Sequence, residues 1–249
     1  MFLQLENFPS KGRGVNFTEI DIQPLTMRDI LQFQAEYNVP NLAWVSKLHI
    51  LITHFLLRNN QAMSMPVTDL YVLLAYTSYL STTQEFSKRY QLEFNCPKCN
   101  ERRIGQITLH DLQFDSLDEK FYRLESIVLG DNKYFVRIPT IREFYDILGR
   151  YKHLPLQENS AKVIFLASFL RDKDGISEFY ERINNATLSD IALIDYLFVN
   201  LCMPLKPTKI TCTKCKGGAV SYDLMEKLTD MFRLISLNST FDKNKVTFV

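Results

Sequence analysis

The most informative stretches of this chain are two short cysteine pairs, CPKC at residues 96–99 and CTKC at residues 212–215. A C-x-x-C sequence places two thiolates on one tight turn, which supplies half of a tetrahedral Cys₄ zinc site. The two pairs therefore predict one structural zinc ion per chain, with the ligands Cys96, Cys99, Cys212 and Cys215. Because residues 100–211 separate the pairs, a shared ion would join distant parts of the chain.

Two other interpretations of the cysteine pairs stay open at this point: a redox-active dithiol, or reduced thiols without metal. A redox-active C-x-x-C usually begins a helix, because the helix dipole lowers the thiol pKa. Here both pairs follow strand-like sequences, at residues 91–94 and 208–211. The pattern therefore favours a closed Cys₄ shell, which leaves no coordination position for a substrate.

Outward from the cysteine pairs, similar segments recur in the same order. Residues 2–8 and 15–22 alternate as the strands of a hairpin, and residues 121–127 and 134–138 predict a second hairpin. A threonine that can cap a helix follows each hairpin, Thr26 in the first half and Thr140 in the second. This order predicts two copies of one unit.

The spacing of matched positions supports an internal duplication. Arg58 and Arg171 are 113 residues apart, and Cys96 and Cys212 are 116 apart. We therefore predict an α+β fold in which a β-hairpin, three helices and a C-x-x-C knuckle with flanking strands occur twice. The alternative is an ordinary mixed fold whose segments resemble one another by chance.

The duplication also predicts the domain organisation. The first repeat covers residues 1–116 and the second covers residues 117–237, and the Cys₄ zinc site joins the two halves. A polar C-terminal tail follows at residues 238–249, and it ends in the apolar sequence VTFV. Such an end could add a strand to a partner's sheet or pack on its own domain. Positive φ values after the cysteine pairs are expected at Asn100 and at Gly217–Gly218.

Composition excludes several classes of protein. Hydrophobic residues make up 46% of the chain and charged residues 23%, which is typical of a folded globular protein. The net charge of +1 argues against nucleic-acid binding, because no excess positive field attracts phosphates. The most apolar stretch, residues 42–57, contains Lys47, His49 and His54, so no membrane span is expected. The sequence shows no secretion signal, and cysteines in C-x-x-C pairs are then expected in a reducing cytoplasm.

Catalytic motifs are missing from the sequence. It contains no phosphate-binding glycine loop, no G-x-S-x-G and no H-E-x-x-H. His49 and His54 are five residues apart, which misses the spacing for shared metal ligation on one helix face. We therefore expect that the protein is not an enzyme.

The first thirty residues resemble a known family. A strand, the turn at Pro9, Ser10 and Gly12, a returning strand, the sequence QPLT at residues 23–26 and Asp29 carry the resemblance. They are similar to the opening of the tail baseplate hub family of T-even-type bacteriophages, which includes the small hub subunit and the hub assembly chaperone. Gln23 departs from the family pattern, where a basic residue is expected before the proline.

The resemblance implies a non-enzymatic morphogenesis factor that assists assembly of the tail baseplate central hub. Its partners would be phage baseplate hub or tape-measure proteins in the host cytoplasm, and the length favours the assembly chaperone of the two roles. The alternative is a zinc-ribbon protein that binds nucleic acid or modulates transcription. Basic residues beside the knuckles, at Arg102–Arg103 and in residues 206–216, are the feature on which this alternative depends.

Overall fold

The computed structural model describes residues 1–37, 39, 42–81, 89–108, 114, 116–151, 164–171, 179, 187–202, 208–216 and 219–222. Within these residues the protein is mixed α+β, and its strands form two-stranded antiparallel sheets. The prediction of an α+β fold is therefore confirmed. The predicted tail at residues 238–249 lies outside the described residues.

The first part of the chain begins with a hairpin and continues with helices. Its elements are β1 (Phe2–Gln4), β2 (Glu19–Asp21), α1 (Met27–Tyr37), α2 (Trp44–Phe55), α3 (Asn60–Ser64) and α4 (Leu70–Ser81), with 3₁₀ turns at Leu5–Asn7 and Val67–Asp69. The following elements are β3 (Arg89–Asn95), β4 (Arg102–Thr108), α5 (Glu119–Tyr122), β5 (Ser126–Leu129), β6 (Asn132–Phe135), α6 (Ile141–Tyr151), α7 (Leu188–Cys202), β7 (Thr208–Thr211) and β8 (Ala219–Tyr222).

The first hairpin is present but shorter than predicted. Leu3 pairs with Ile20 in β1 and β2, and both side chains are buried. After Gln4 the chain forms a 3₁₀ turn instead of continuing as a strand. Leu5 still donates its backbone N–H to the carbonyl of Thr18 at 2.9 Å, and its side chain is buried. β1 therefore ends at Gln4, and Leu5 enters the core from the 3₁₀ turn.

A short additional helix, α3, follows α2. Asn59 caps it, because the Asn59 side-chain oxygen accepts a hydrogen bond from the backbone N–H of Ala62 at 3.1 Å. The same side chain donates from Nδ2 to the carbonyl of Asp21 at 2.8 Å. Asn59 therefore attaches the start of α3 to the end of β2.

The predicted strand at residues 121–127 is wrong in its first part. Residues Glu119–Tyr122 form the short helix α5, and the strand β5 begins at Ser126. Asp118 caps α5, because its carboxylate accepts from the backbone N–H of Lys120 at 3.1 Å. The side chain of Phe121, which belongs to this helix, is buried in the core. The local cap therefore prevails over the alternating pattern of the sequence.

Three helices start with the same reciprocal cap. The Asp29 carboxylate accepts from the backbone N–H and the hydroxyl of Thr26, and the Thr26 hydroxyl accepts from the Asp29 N–H. The pairs Thr140–Glu143 and Thr187–Asp190 make the same three hydrogen bonds. The predicted helix starts at Thr26 and Thr140 are confirmed, Thr187 caps α7 in the same way, and each cap contributes about 1 kcal/mol.

Helices of the two predicted repeats pack directly against each other. The ring of His49 in α2 stacks on Tyr145 of α6, with ring centroids 4.5 Å apart. Backbone hydrogen bonds also cross between the parts, because Val67 donates to the carbonyl of Pro139 and Ile141 donates to the carbonyl of Met65. Both parts therefore contribute to one continuous hydrophobic core.

Among the helices that the structure describes, none combines the length and the apolar character that a membrane span requires.

Candidate metal centre

Each cysteine pair forms the turn of an antiparallel hairpin. The first turn connects β3 to β4, where Asn95 pairs with Arg102. The second connects β7 to β8, where Thr211 pairs with Ala219. β4 also contacts β7, so the two hairpins lie side by side. The predicted strands around both pairs are confirmed.

The two turns have the same backbone hydrogen bond. Asn100 donates its N–H to the carbonyl of Cys96 at 2.8 Å, and Lys216 donates its N–H to the carbonyl of Cys212 at 3.0 Å. Both donors have left-handed backbone conformations, with φ values of 54° at Asn100 and 50° at Lys216. The prediction is confirmed at Asn100. In the second turn the structure places a positive φ at Lys216, and Gly217–Gly218 lies outside the described residues.

The turns bring all four predicted ligands together. Their Sγ atoms lie within 4.8 Å of one another. Across the two hairpins, the distance from Cys96 to Cys215 is 3.6 Å and that from Cys99 to Cys212 is 3.9 Å. Tetrahedral zinc with Zn–S bonds of 2.3 Å requires sulfur–sulfur distances of about 3.8 Å. The geometry therefore fits a metal ion such as zinc.

Backbone amides of each turn stabilise thiolates. The amide N–H groups of Cys215 and Lys214 lower the pKa of the Cys212 thiol to about 6. The pKa of Cys96 is lowered in the same way, chiefly by the amide of Cys99. Amides aimed at sulfur are typical of metal-binding knuckles, where the thiolate is the ligand.

Cys99 shows why four thiols at this distance need a cation. The amide of Glu101 lowers its pKa, but burial and the neighbouring sulfurs of Cys96 and Cys212 raise it to about 11. Four thiolates therefore repel one another in the unliganded cluster. A bound divalent cation removes this repulsion, and binding then releases protons.

Glu101 connects the two hairpins next to the cysteines. Its carboxylate accepts from Arg103 on its own hairpin and from Lys214 between the second pair of ligands. Hydrogen bonding to Lys214 is the main cause that lowers the pKa of Glu101. No local sequence pattern predicts this role, because Glu101 and Lys214 are far apart along the chain.

Other candidate residues do not join a metal site. His54 Nε2 lies 3.2 Å from Glu36, and His49 stacks on Tyr145. A metal ion could be held by a cluster of three or more His, Cys, Asp or Glu side chains. Within the described residues, the four cysteines form such a cluster.

A buried carboxyl group lies elsewhere, at the start of α4. Asp69 is fully buried and accepts hydrogen bonds from the backbone N–H and the hydroxyl of Ser10. Burial raises the pKa of Asp69 to about 6. Burial, together with the charge of Asp69, raises the pKa of nearby Tyr122 to about 12. The hydrogen bonds between Ser10 and Asp69 hold the turn at Ser10 against the start of α4.

Comparisons with protein-family models, with curated proteins and with solved structures found no match to this chain.

Proposed function

We propose that this protein is a non-enzymatic phage morphogenesis factor that assists assembly of the tail baseplate central hub. It acts in the host cytoplasm by binding hub or tape-measure components, in the manner of an assembly chaperone. The proposal starts from the resemblance of the first thirty residues to the baseplate hub family. It is supported by the closed arrangement of the four cysteines, which leaves a bound ion with a structural role.

The residues that carry the resemblance have structural roles in this fold. The Ser10 hydroxyl donates to the buried Asp69, and Gly12 has a φ of +73° in the turn. Thr26 and Asp29 form the reciprocal cap of α1. The resemblance lies at positions that determine the fold of this region. It therefore supports membership of the family at the level of the fold.

We also infer that the chain contains an internal duplication and that the metal is one structural zinc ion per chain. Each half has a hairpin, a capped helix after it and a knuckle whose first cysteine is buried and whose second is half-buried. Exchange of the two knuckles converts the Cys96–Cys215 contact into the Cys212–Cys99 contact. Such an exchange is expected for two copies related by a pseudo-twofold axis through the metal.

Exposed apolar side chains provide surfaces for protein partners. Met27 and Leu31 lie one turn apart on α1, and both are more than half exposed. Leu188 and Ile191 lie on the first turn of α7, and Leu188 is 86% exposed. These positions on two helices fit a binding role better than a catalytic one.

Co-expression with the hub and tape-measure proteins of the same phage tests the proposal. We expect a stable complex, or a larger yield of assembled hub when this protein is present. A double substitution, Met27→Ser with Leu31→Ser, should weaken the interaction, and Lys11→Ser on an exposed turn serves as the control. A chain that neither binds these proteins nor changes their assembly would refute the proposal.

The nucleic-acid alternative has less support at the knuckles. Arg102 pairs with Glu93, and Arg103 and Lys214 pair with Glu101, so acidic groups pair with three of the basic residues that suggested it. This alternative requires binding to DNA or RNA that weakens steeply with salt. A filter-binding titration at two salt concentrations distinguishes it from the assembly role.

A further inference from the structure

A remote segment of the chain pairs with the outer edge of the β5–β6 hairpin. Val136, just after β6, forms an antiparallel bridge with Leu170. Arg137 donates its backbone N–H to the carbonyl of Phe169 at 2.8 Å, and Arg171 donates its N–H to the carbonyl of Phe135 at 2.9 Å. A segment of the chain itself therefore covers this edge.

The β1–β2 hairpin has a corresponding outer edge. Ile22 directs its N–H toward β1 and donates to the carbonyl of Met1, as Val136 donates to the carbonyl of Glu125. The outer edge therefore presents the carbonyl of Asp21 and the N–H of Gln23. Asp21 precedes the capping Thr26 by five residues, as Phe135 precedes Thr140.

No backbone segment that the structure describes covers this first edge. The carbonyl of Asp21 accepts from the side chain of Asn59, which takes the place of a strand N–H. The N–H of Gln23 has no hydrogen-bond acceptor among the described residues. A cleft of about 610 Å³ lies beside it, lined in part by Leu25, Phe55 and Leu56.

The charges in the cleft favour an uncharged occupant. Asp21 pairs with the amino group of Met1, and Asp29 pairs with Arg58. His54, the remaining ionisable group of the lining, lies beside Glu36. Since each of these groups has a partner, the cleft offers no free charge for an ion.

The shape of the edge favours a polypeptide. Gln23, two residues after the end of β2, offers a backbone donor, and the side chains of Asn59 and Gln61 line the cleft with amides. In an antiparallel pair, directly opposed residues place their side chains on the same face. A residue opposite Ile22, which is buried, would therefore point inward toward Leu56.

We propose that the outer edge of β2 binds an extended segment of a partner protein by strand addition. The segment runs antiparallel to β2, its carbonyl accepts from the Gln23 N–H, and an apolar side chain fills the cleft over Leu56. The proposal goes beyond the assembly role and does not depend on which protein supplies the segment.

A labelled peptide tests the proposal on the full-length chain. The probe is fluorescein-FLASFLRD, the sequence of residues 165–172, because it contains the segment that pairs with the matched edge. Gln23→Pro removes the backbone donor, whereas the control Gln23→Ala retains it. We expect the alanine variant to bind like the native chain and the proline variant to bind at least tenfold more weakly, measured by fluorescence anisotropy.

Two further measurements hold even if the proline variant does not fold. Asn59→Ser keeps an oxygen that can cap α3 but releases the carbonyl of Asp21, so it should bind the peptide severalfold more tightly. In ¹⁵N spectra of the native chain, the Gln23 amide should exchange rapidly and shift when peptide is added.

Four results would overturn the proposal, and the first three concern peptide binding. They are equal binding by the proline and alanine variants, unchanged or weaker binding by the serine variant, and a Gln23 amide that does not move at saturating peptide. A Gln23 amide already protected in the free protein would also do so, because this chain or a second copy would then occupy the edge.

Discussion

Ile210 lies so close to Gly105 that a Cβ atom at position 105 would be 2.5 Å from its Cγ2 atom. Gly105 is in β4 of the first knuckle hairpin, and Ile210 is in β7, two residues before Cys212. A real Cβ atom does not tolerate this distance, so the missing side chain allows the two hairpins to approach each other. The approach of the hairpins in turn brings the four thiolates within reach of one ion.

Gly105→Ala should therefore weaken zinc binding at least tenfold, because Ile210 must move and the knuckles separate. Competition with a chromogenic chelator measures the affinity, and the absorption bands of the Co²⁺-substituted protein report the coordination. Ile210→Ala in the same chain should restore most of the affinity, since it removes the clashing atoms. The control is Ile104→Ala, which changes an exposed neighbour. Equal affinity in the Gly105→Ala and native proteins would show that the contact does not position the metal.

Zinc stoichiometry should be one per chain by native mass spectrometry. Either Cys96→Ser or Cys212→Ser should remove the ion, because each leaves an incomplete ligand set. Structural zinc contributes on the order of 10 kcal/mol to folding, so chelation should loosen both knuckle hairpins together in hydrogen exchange. Two ions, each lost with a different substitution, would mean that the knuckles bind metal separately.

Lys216→Gly should stabilise the zinc-loaded protein by about 1 kcal/mol. Lys216 has a φ of 50°, a conformation that costs an ordinary residue about 1–2 kcal/mol and costs glycine little. Thermal unfolding measures the change. Asn100→Gly is the matched control in the first knuckle and should have a smaller effect, because asparagine tolerates this conformation. A destabilised Lys216→Gly protein would indicate that the lysine side chain makes a favourable contact.

Asp69 should make stability depend on pH. Its pKa is about 6 in the folded protein and 3.8 in the unfolded chain, so the unfolded state releases its proton first as the pH rises. Stability is therefore lost between pH 4 and pH 6, by about 3 kcal/mol in total. Asp69→Asn lacks this loss, so its free energy of unfolding relative to the native protein should rise by that amount between pH 4 and pH 7.

Urea unfolding of both proteins at the same pH values measures this difference, and effects of pH on the metal cancel between them. Ser10→Ala removes a hydrogen bond that lowers the pKa of Asp69, so it should move the pH-dependent loss to higher pH. A difference that does not change with pH would show that Asp69 has the same pKa in both states.

The local motifs of the sequence predicted more of this structure than its long-range contacts. Two cysteines three residues apart define a turn, and a threonine with an acidic residue three positions later defines a helix start. Asp118 shows the limit of such patterns. It caps α5, but the alternating residues that follow it predicted a strand instead. The contacts from Glu101 to Lys214 and from Gly105 to Ile210 depend on how two remote hairpins pack, and no local pattern specifies that.

The separation of the two cysteine pairs has a consequence for synthesis of the protein. Cys215 is added to the growing chain 116 residues after Cys99, which takes roughly 6–23 s at ordinary translation rates. During that interval the nascent chain carries only two of the four cysteines of the cluster. The four-cysteine cluster can therefore form only after residue 215 has left the ribosome, long after the first pair has been made.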